Sequence, residues 1–361
     1  MGKKFCLSTK SPAPAVQAPA FDALESYAAV LDSFNGLNDA MESLTAVEAE
    51  AIELDTIRDT AREAMELFQA CGVTADTLGI YNRNGKLDME LGLESLDITT
   101  ATAEALEARK TEYVTKLGES VASCEGAVIE WFKKFLAAIM DFFKKFFHMD
   151  ASIIKTLEGL RANIEKPSNP DAEMKGLNKK NLDVMVKALQ GIDAVCKDLE
   201  TKLKDDGSAD PDEVEQLISK KVNPSITAMG LTWAEGKITG ELKEEFKESK
   251  GTIKDKGYAG GAKAALDTVK KYLDSSNMKA LSKKLVAITK KISAQEKLEE
   301  AAAKTKDTVL KVNAFIKLHA KLSRTVSITL LSLGRAGGGA AASKKEEPAG
   351  AGAGMDDDDK R

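Results

Sequence analysis

The side chains able to handle protons, metals or phosphates are few or widely spread in this chain. There are two histidines, His148 and His319, and four cysteines, Cys6, Cys71, Cys124 and Cys196. His148 follows an aromatic run, and His319 reads as a surface or half-buried residue of a lysine-rich helix. No Cys-x-x-Cys spacing exists, so neither a zinc site nor a disulfide framework is suggested, and a reducing compartment fits. Serine-hydrolase elbows, P-loops and zinc-protease motifs are missing, and the glycines at Gly257, Gly260 and Gly261 follow no strand. Asn82, Asn84, Asp88 and Glu90 lack the spacing and closing glutamate of a calcium loop. The reading is a protein that is no enzyme, with no cofactor and no metal.

Two other chemistries are written more clearly. Eleven lysines lie between Lys263 and Lys306, and lysines can neutralise phosphates with salt-dependent affinity. Stacking aromatics are nearly missing there, which disfavours single-strand readout and leaves non-specific contact with duplex DNA, or a solvated lysine face. The second is the run from Ala127 to Phe147, AVIEWFKKFLAAIMDFFKKFF, with Trp131 and six of the twelve phenylalanines.

Within that run Val128, Trp131, Phe132, Phe135, Ile139, Phe142, Phe143 and Phe146 recur at steps of three and four, forming one broad helical face. The rod is roughly 30 Å long, enough to span a bilayer, but the charges Glu130, Lys133, Lys134, Asp141, Lys144 and Lys145 argue against spanning. The face is expected to meet protein or to lie along a membrane surface.

The rest of the chain must position these features. Abundant Ala, Leu, Lys and Glu with few prolines predicts a mainly α fold, several long helices in an elongated bundle-like arrangement. Residues 1–20, with prolines at 12, 14 and 19, read as a disordered arm. Residues 21–125 form an acidic helical region, interrupted at Asn35-Gly36 and closed at Cys71-Gly72. Asn84-Gly85 predicts a small β-hairpin within 77–91. Thr100 or Thr102 is expected to cap the next helix, and SVASCEG, 120–126, is read as a bend or exposed loop. The aromatic helix and a short helix after His148 fill 126–166, ending at Pro167 and Pro170. A basic helical body follows over 171–333, with a helix from about Leu182 to Lys204 and another started by Asp210-Pro211. Residues 223–261 are broken by glycines, with Trp233 expected to anchor their packing, and two long helices are expected from Ala262 to Leu333. Residues 334–361 read as a disordered tail, whose MDDDDKR matches an enterokinase recognition sequence. The start, MGKKFC, lacks a signal-peptide core, and Cys6 stands where a myristoylation signal needs Ser or Thr.

Net charge is −5, and the mean hides a division. Residues 1–130 hold 23 acidic and 10 basic side chains, and 131–361 hold 34 and 42, a division expected to mean separate roles, attraction between the parts or to a polyanion, or simply two solvated faces. This layout, an acidic helical first part, a soft junction, a lysine-punctuated aromatic helix and a basic helical remainder, resembles the internal head proteins of giant phiKZ-like tailed phages. The likeness spans chiefly residues 35–150. It implies a structural protein co-assembled with the prohead core and retained inside the head of the virion beside packaged DNA, with the capsid shell or sister copies as partners. It also implies a propeptide removed by a prohead protease that cuts after glutamate in a small-x-Glu context. Ser123-Cys124-Glu125 matches where the charge changes sign, as do Ala46-Val47-Glu48, Ala51-Ile52-Glu53 and Gly92-Leu93-Glu94 elsewhere. A cut after Glu125 leaves a body of 35 acidic and 42 basic residues.

Overall fold

The computed structural model describes residues 20–72, 74, 77, 102–204, 209–295 and 300–338. The fold is mainly α and elongated, as the composition predicts. Two long helices, α1 (Ala20–Cys71) and α2 (Ala103–Gly159), form its longest contact. Phe68 meets Tyr113 while Trp131 meets Val47, so they run antiparallel. The short α3 (Arg161–Glu165) follows. Then come β1 (Glu173–Gly176), α4 (Lys179–Lys202), α5 (Pro211–Ile226), β2 (Leu231–Ala234), β3 (Lys237–Gly240) and β4 (Ser249–Thr252). The chain closes with α6 (Lys263–Leu273), α7 (Ser276–Ser293) and α8 (Glu300–Gly337).

Local signals explain the starts. Thr102 caps α2 by accepting from the Ala105 amide, Asp210 caps α5 with Pro211 at its first position, and Ser275 accepts from the Met278 amide at α7. Each such side chain satisfies an amide that has no partner inside its helix, worth about 1 kcal/mol.

Several expectations need correction. Helix α1 passes unbroken through Asn35-Gly36, because one glycine costs only about 1 kcal/mol and Phe34 and Leu37 on either side are buried. Helix α2 passes unbroken through 120–126: Leu117, Cys124 and Val128, buried at helical spacing, continue its packed stripe. The helix after His148 is the end of α2 itself, closing at Gly159. Among the described residues the region after Ala262 holds three helices, since Asp274 ends one hydrogen-bond ladder and Ser275 caps the next. The tail begins later than expected: α8 reaches Gly337, whose carbonyl accepts from the amide and hydroxyl of Ser168. Of the expected hairpin at 77–91 only Thr77 is described, and of the arm at 1–20 only Ala20, which begins α1; the other residues of both lie outside the described residues.

The glycine-broken stretch instead folds a hairpin at β2 and β3, paired from Leu231↔Gly240 to Ala234↔Lys237. Its turn residues, Glu235 and Gly236, have φ of 52° and 74°, the left-handed pair that matches strand twist. Trp233 is buried as expected, and Asn223 clamps its backbone, accepting from the Trp233 amide at 2.7 Å and donating to its carbonyl at 3.1 Å. Strand β1 pairs antiparallel with β4. One continuous apolar core runs from Val30 of α1 to Leu333 of α8.

Candidate interaction surface

Every residue of the predicted aromatic face is buried: Val128, Trp131, Phe132, Phe135, Ile139, Phe142, Phe143 and Phe146. The rings pack along their own helix, with Trp131 stacked on Phe135 at 4.9 Å and Phe142 on Phe146 at 5.8 Å. Helices α1, α7 and α8 cover them. Trp131 donates from Nε1 to the Val47 carbonyl of α1 at 2.5 Å, so the one polar atom of that ring is satisfied. Burying each ring contributes about 1.5–3 kcal/mol, which makes the segment the spine of the core. A lipid-facing role would require these helices to leave it. No described helix is long and apolar enough to cross a membrane.

On the outer side of α2 three lysines of the aromatic run are already matched, while Lys144 is exposed without a carboxylate partner among the described residues. Lys133 pairs with Glu130 at 2.5 Å, Lys145 with Asp141 at 2.8 Å, and Lys134 with Glu50 of α1 at 2.8 Å. In helix α6, Lys263 pairs with Glu165 at 2.9 Å and Lys270 with Glu158, while Lys271 is exposed and lies over the Tyr272 ring. In α7, Lys279 pairs with Asp274, whereas Lys283, Lys290 and Lys291 are exposed.

A polar ladder that the sequence reading missed ties α1 to α8. Arg324 donates to Asn38 at 3.1 Å and lies over the Phe34 ring. Lys317 donates to Thr45 at 2.7 Å and pairs with Glu48 at 2.6 Å, and Asn313 donates to the same glutamate. Lys306, whose side chain is 2% exposed, pairs with Asp55. The rungs at 38, 45 and 55 answer those at 324, 317 and 306, steps of seven and ten against seven and eleven in opposite directions. Two helices presenting polar residues at matched, opposed steps was the readable signal. An ion pair this buried about breaks even against an apolar pair in stability, but it fixes register.

Ser123, Cys124 and Glu125, the candidate cleavage residues, sit inside the continuous α2 helix, with Ser123 exposed and Cys124 buried. Ala46-Val47-Glu48 and Ala51-Ile52-Glu53 lie within α1, and Gly92-Leu93-Glu94 lies outside the described residues. His319 is buried rather than on the surface, because α8 turns it beneath α2, edge-on to Phe146 at 5.8 Å. Its Nδ1 lies 3.4 Å from the Ser323 hydroxyl, its Nε2 has no partner, and burial pushes its pKa down to about 4. His148 is exposed. Asp150, also buried, is held well above the usual carboxylate range by desolvation. Among the described residues no cluster of His, Cys, Asp and Glu could hold a metal.

No protein-family model, no curated protein and no solved structure matches this chain.

Proposed function

We propose that this chain is a structural, non-enzymatic internal head protein of a giant tailed phage, assembled with the prohead core and packaged beside DNA. The observation that carries this reading is the clasp between an acidic helix and a cationic, aromatic body. Asp55, Glu48 and Glu50 of α1 occupy Lys306, Lys317 and Lys134, while the same helix covers the rings of α2. The first part of the chain thereby neutralises the remainder, and its removal would leave a basic body whose apolar face meets shell or sister copies.

The geometry adds a condition to maturation. A protease binds an extended strand, and Ser123-Cys124-Glu125 is helical with Cys124 packed inward. Cleavage there requires α2 to unwind locally, so the bond is protected in the isolated folded chain and opened only during assembly. Mass spectrometry of purified particles tests the reading: the expected result is loss of peptides that cross Glu125, with a new terminus at Gly126. Crossing peptides at full abundance in mature particles would sink the maturation claim, and absence of the chain from particles would sink the reading as a whole.

A further inference from the structure

We infer that the outer face of α7 binds the phosphates of duplex nucleic acid, which deepens the reading above by assigning DNA contact to one helix. The sequence of α7, SNMKALSKKLVAITKKIS, holds five lysines and no acidic residue. Its other side is fully committed: Met278, Leu281, Leu285, Ile288 and Ile292 are buried, so the helix cannot roll to hide its charges. The stripe facing outward runs Ala280, Lys283, Ala287, Lys290 and Lys291, all exposed. Nothing bulky stands between the lysines, and at about 1.5 Å per residue Lys283 and Lys290 are roughly 10 Å apart along the axis.

What distinguishes this face from the other lysine-rich surfaces is the lack of any acidic residue on its own helix: Lys144 and Lys155 of α2 and Lys271 of α6 are also exposed and unpaired among the described residues, but Asp141, Glu158 and Asp267 lie about one turn from them. Lys133, Lys134 and Lys145 on α2, and Lys263 and Lys270 on α6, each have a carboxylate partner. Among the described residues Lys283, Lys290 and Lys291 have none. A lysine already paired must give up its carboxylate to take a phosphate, whereas a solvated one gains the full counterion release. Rigid duplex fits better than single strands, since exposed aromatic platforms for stacking are missing from this helix.

The test is a fluorescence-anisotropy titration of the full chain with a labelled duplex of about 20 base pairs, repeated from about 50 to 200 mM salt. The triple variant Lys283→Gln, Lys290→Gln, Lys291→Gln is compared with Lys133→Gln, Lys134→Gln, Lys145→Gln, which alters net charge equally on α2. The α7 variant is expected to weaken binding at least about tenfold at low salt and to reduce the log–log salt slope by about 2–3, at roughly 0.9 per lost phosphate contact. The α2 variant should shift the slope by less than about 1. Unchanged melting of both variants shows that the fold is intact. Equal losses from the two variants, or no binding by the wild type at low salt, would overturn the assignment. So would an α7 variant that keeps DNA binding but loses self-association in sedimentation, because the partner is then the acidic face of another copy. The particle experiment stands apart from these outcomes, since a chain found in particles with DNA contacts elsewhere keeps its proposed role.

Discussion

Helices α2 and α7 pack against each other, and each sets lysine pairs between apolar residues: KKFLAAIMDFFKK in one, SKKLVAITKK in the other. Their lysines meet different fates. Glu130 and Asp141 lie one turn from lysines of α2, and α1 brings Glu50 to a third, so three of the four lysines in that run are matched internally and Lys144 is left exposed. Helix α7 has no acidic residue of its own beyond the Asp274 that precedes it. Their buried sides differ as well, rings in α2 and aliphatic chains in α7. The lesson is that a shared local pattern sets which side of a helix is buried, and the neighbours decide what the charged side is free to bind.

The largest effect expected in this comparison comes from the rings. Phe142→Ala should destabilise the chain by about 3–5 kcal/mol in urea denaturation, by transfer loss plus the cavity left in a close-packed core. A cost under about 1 kcal/mol would mean that the rings do not hold α2 in place.

Next comes the pair of buried titratable groups near the same helix. His319 has a folded pKa of about 4 against an ordinary value of 6.5, its depression caused by burial and only partly opposed by the charge of Asp193. The unfolded chain therefore binds the proton more readily. The stability tied to neutral His319 is fully present above pH 6.5 and is lost as pH falls from about 6.5 to about 4, amounting to about 3 kcal/mol. Asp150 works in the opposite sense: its raised pKa, caused first by desolvation and partly offset by Lys279, gives stability present at low pH and lost as pH rises above 3.8. Urea midpoints across pH should show His319→Gln flattening the acid side and Asp150→Asn flattening the other. A wild-type profile flat between pH 6.5 and 4 would contradict the burial of His319.

A smaller effect belongs to the start of α7. Ser275 caps the helix and also donates to Asp193 of α4, which Asn277 contacts at 3.0 Å. Ser275→Ala should cost about 1 kcal/mol, and Ser275→Asp should recover less than usual, because a second carboxylate would face Asp193. The smallest effect sharpens the contrast: Lys145→Gln breaks an exposed pair and should change stability by less than about 0.5 kcal/mol. Lys283→Gln should do the same to stability while changing polyanion affinity.

Much of the fold was legible in short windows. Burial at steps of three and four located the aromatic face, Pro167 and Pro170 marked the break after α3, and Thr102 and Asp210 announced helix starts. Sequence reading failed where a local breaker met strong flanking burial, at Gly36 and at 120–126, and where a polar residue was taken to face water, at His319. For the candidate surface the outcome was mixed. The apolar face was found residue by residue, but the chain's own helices cover it, and the free lysines of α7 could not be told from the paired lysines of α2.

By itself the sequence determined the helical class, which apolar residues of the aromatic run turn inward, and that an acidic part precedes a basic one, because helical periodicity and capping act within about four residues. Tertiary structure alone decided that Asn38, Glu48 and Asp55 answer Arg324, Lys317 and Lys306, partners more than 250 residues apart. It also decided that His319 lies beneath Phe146 and which lysines stay unmatched. Coulomb attraction and desolvation depend on separation in space, and that separation is set only when α1, α2 and α8 are packed together.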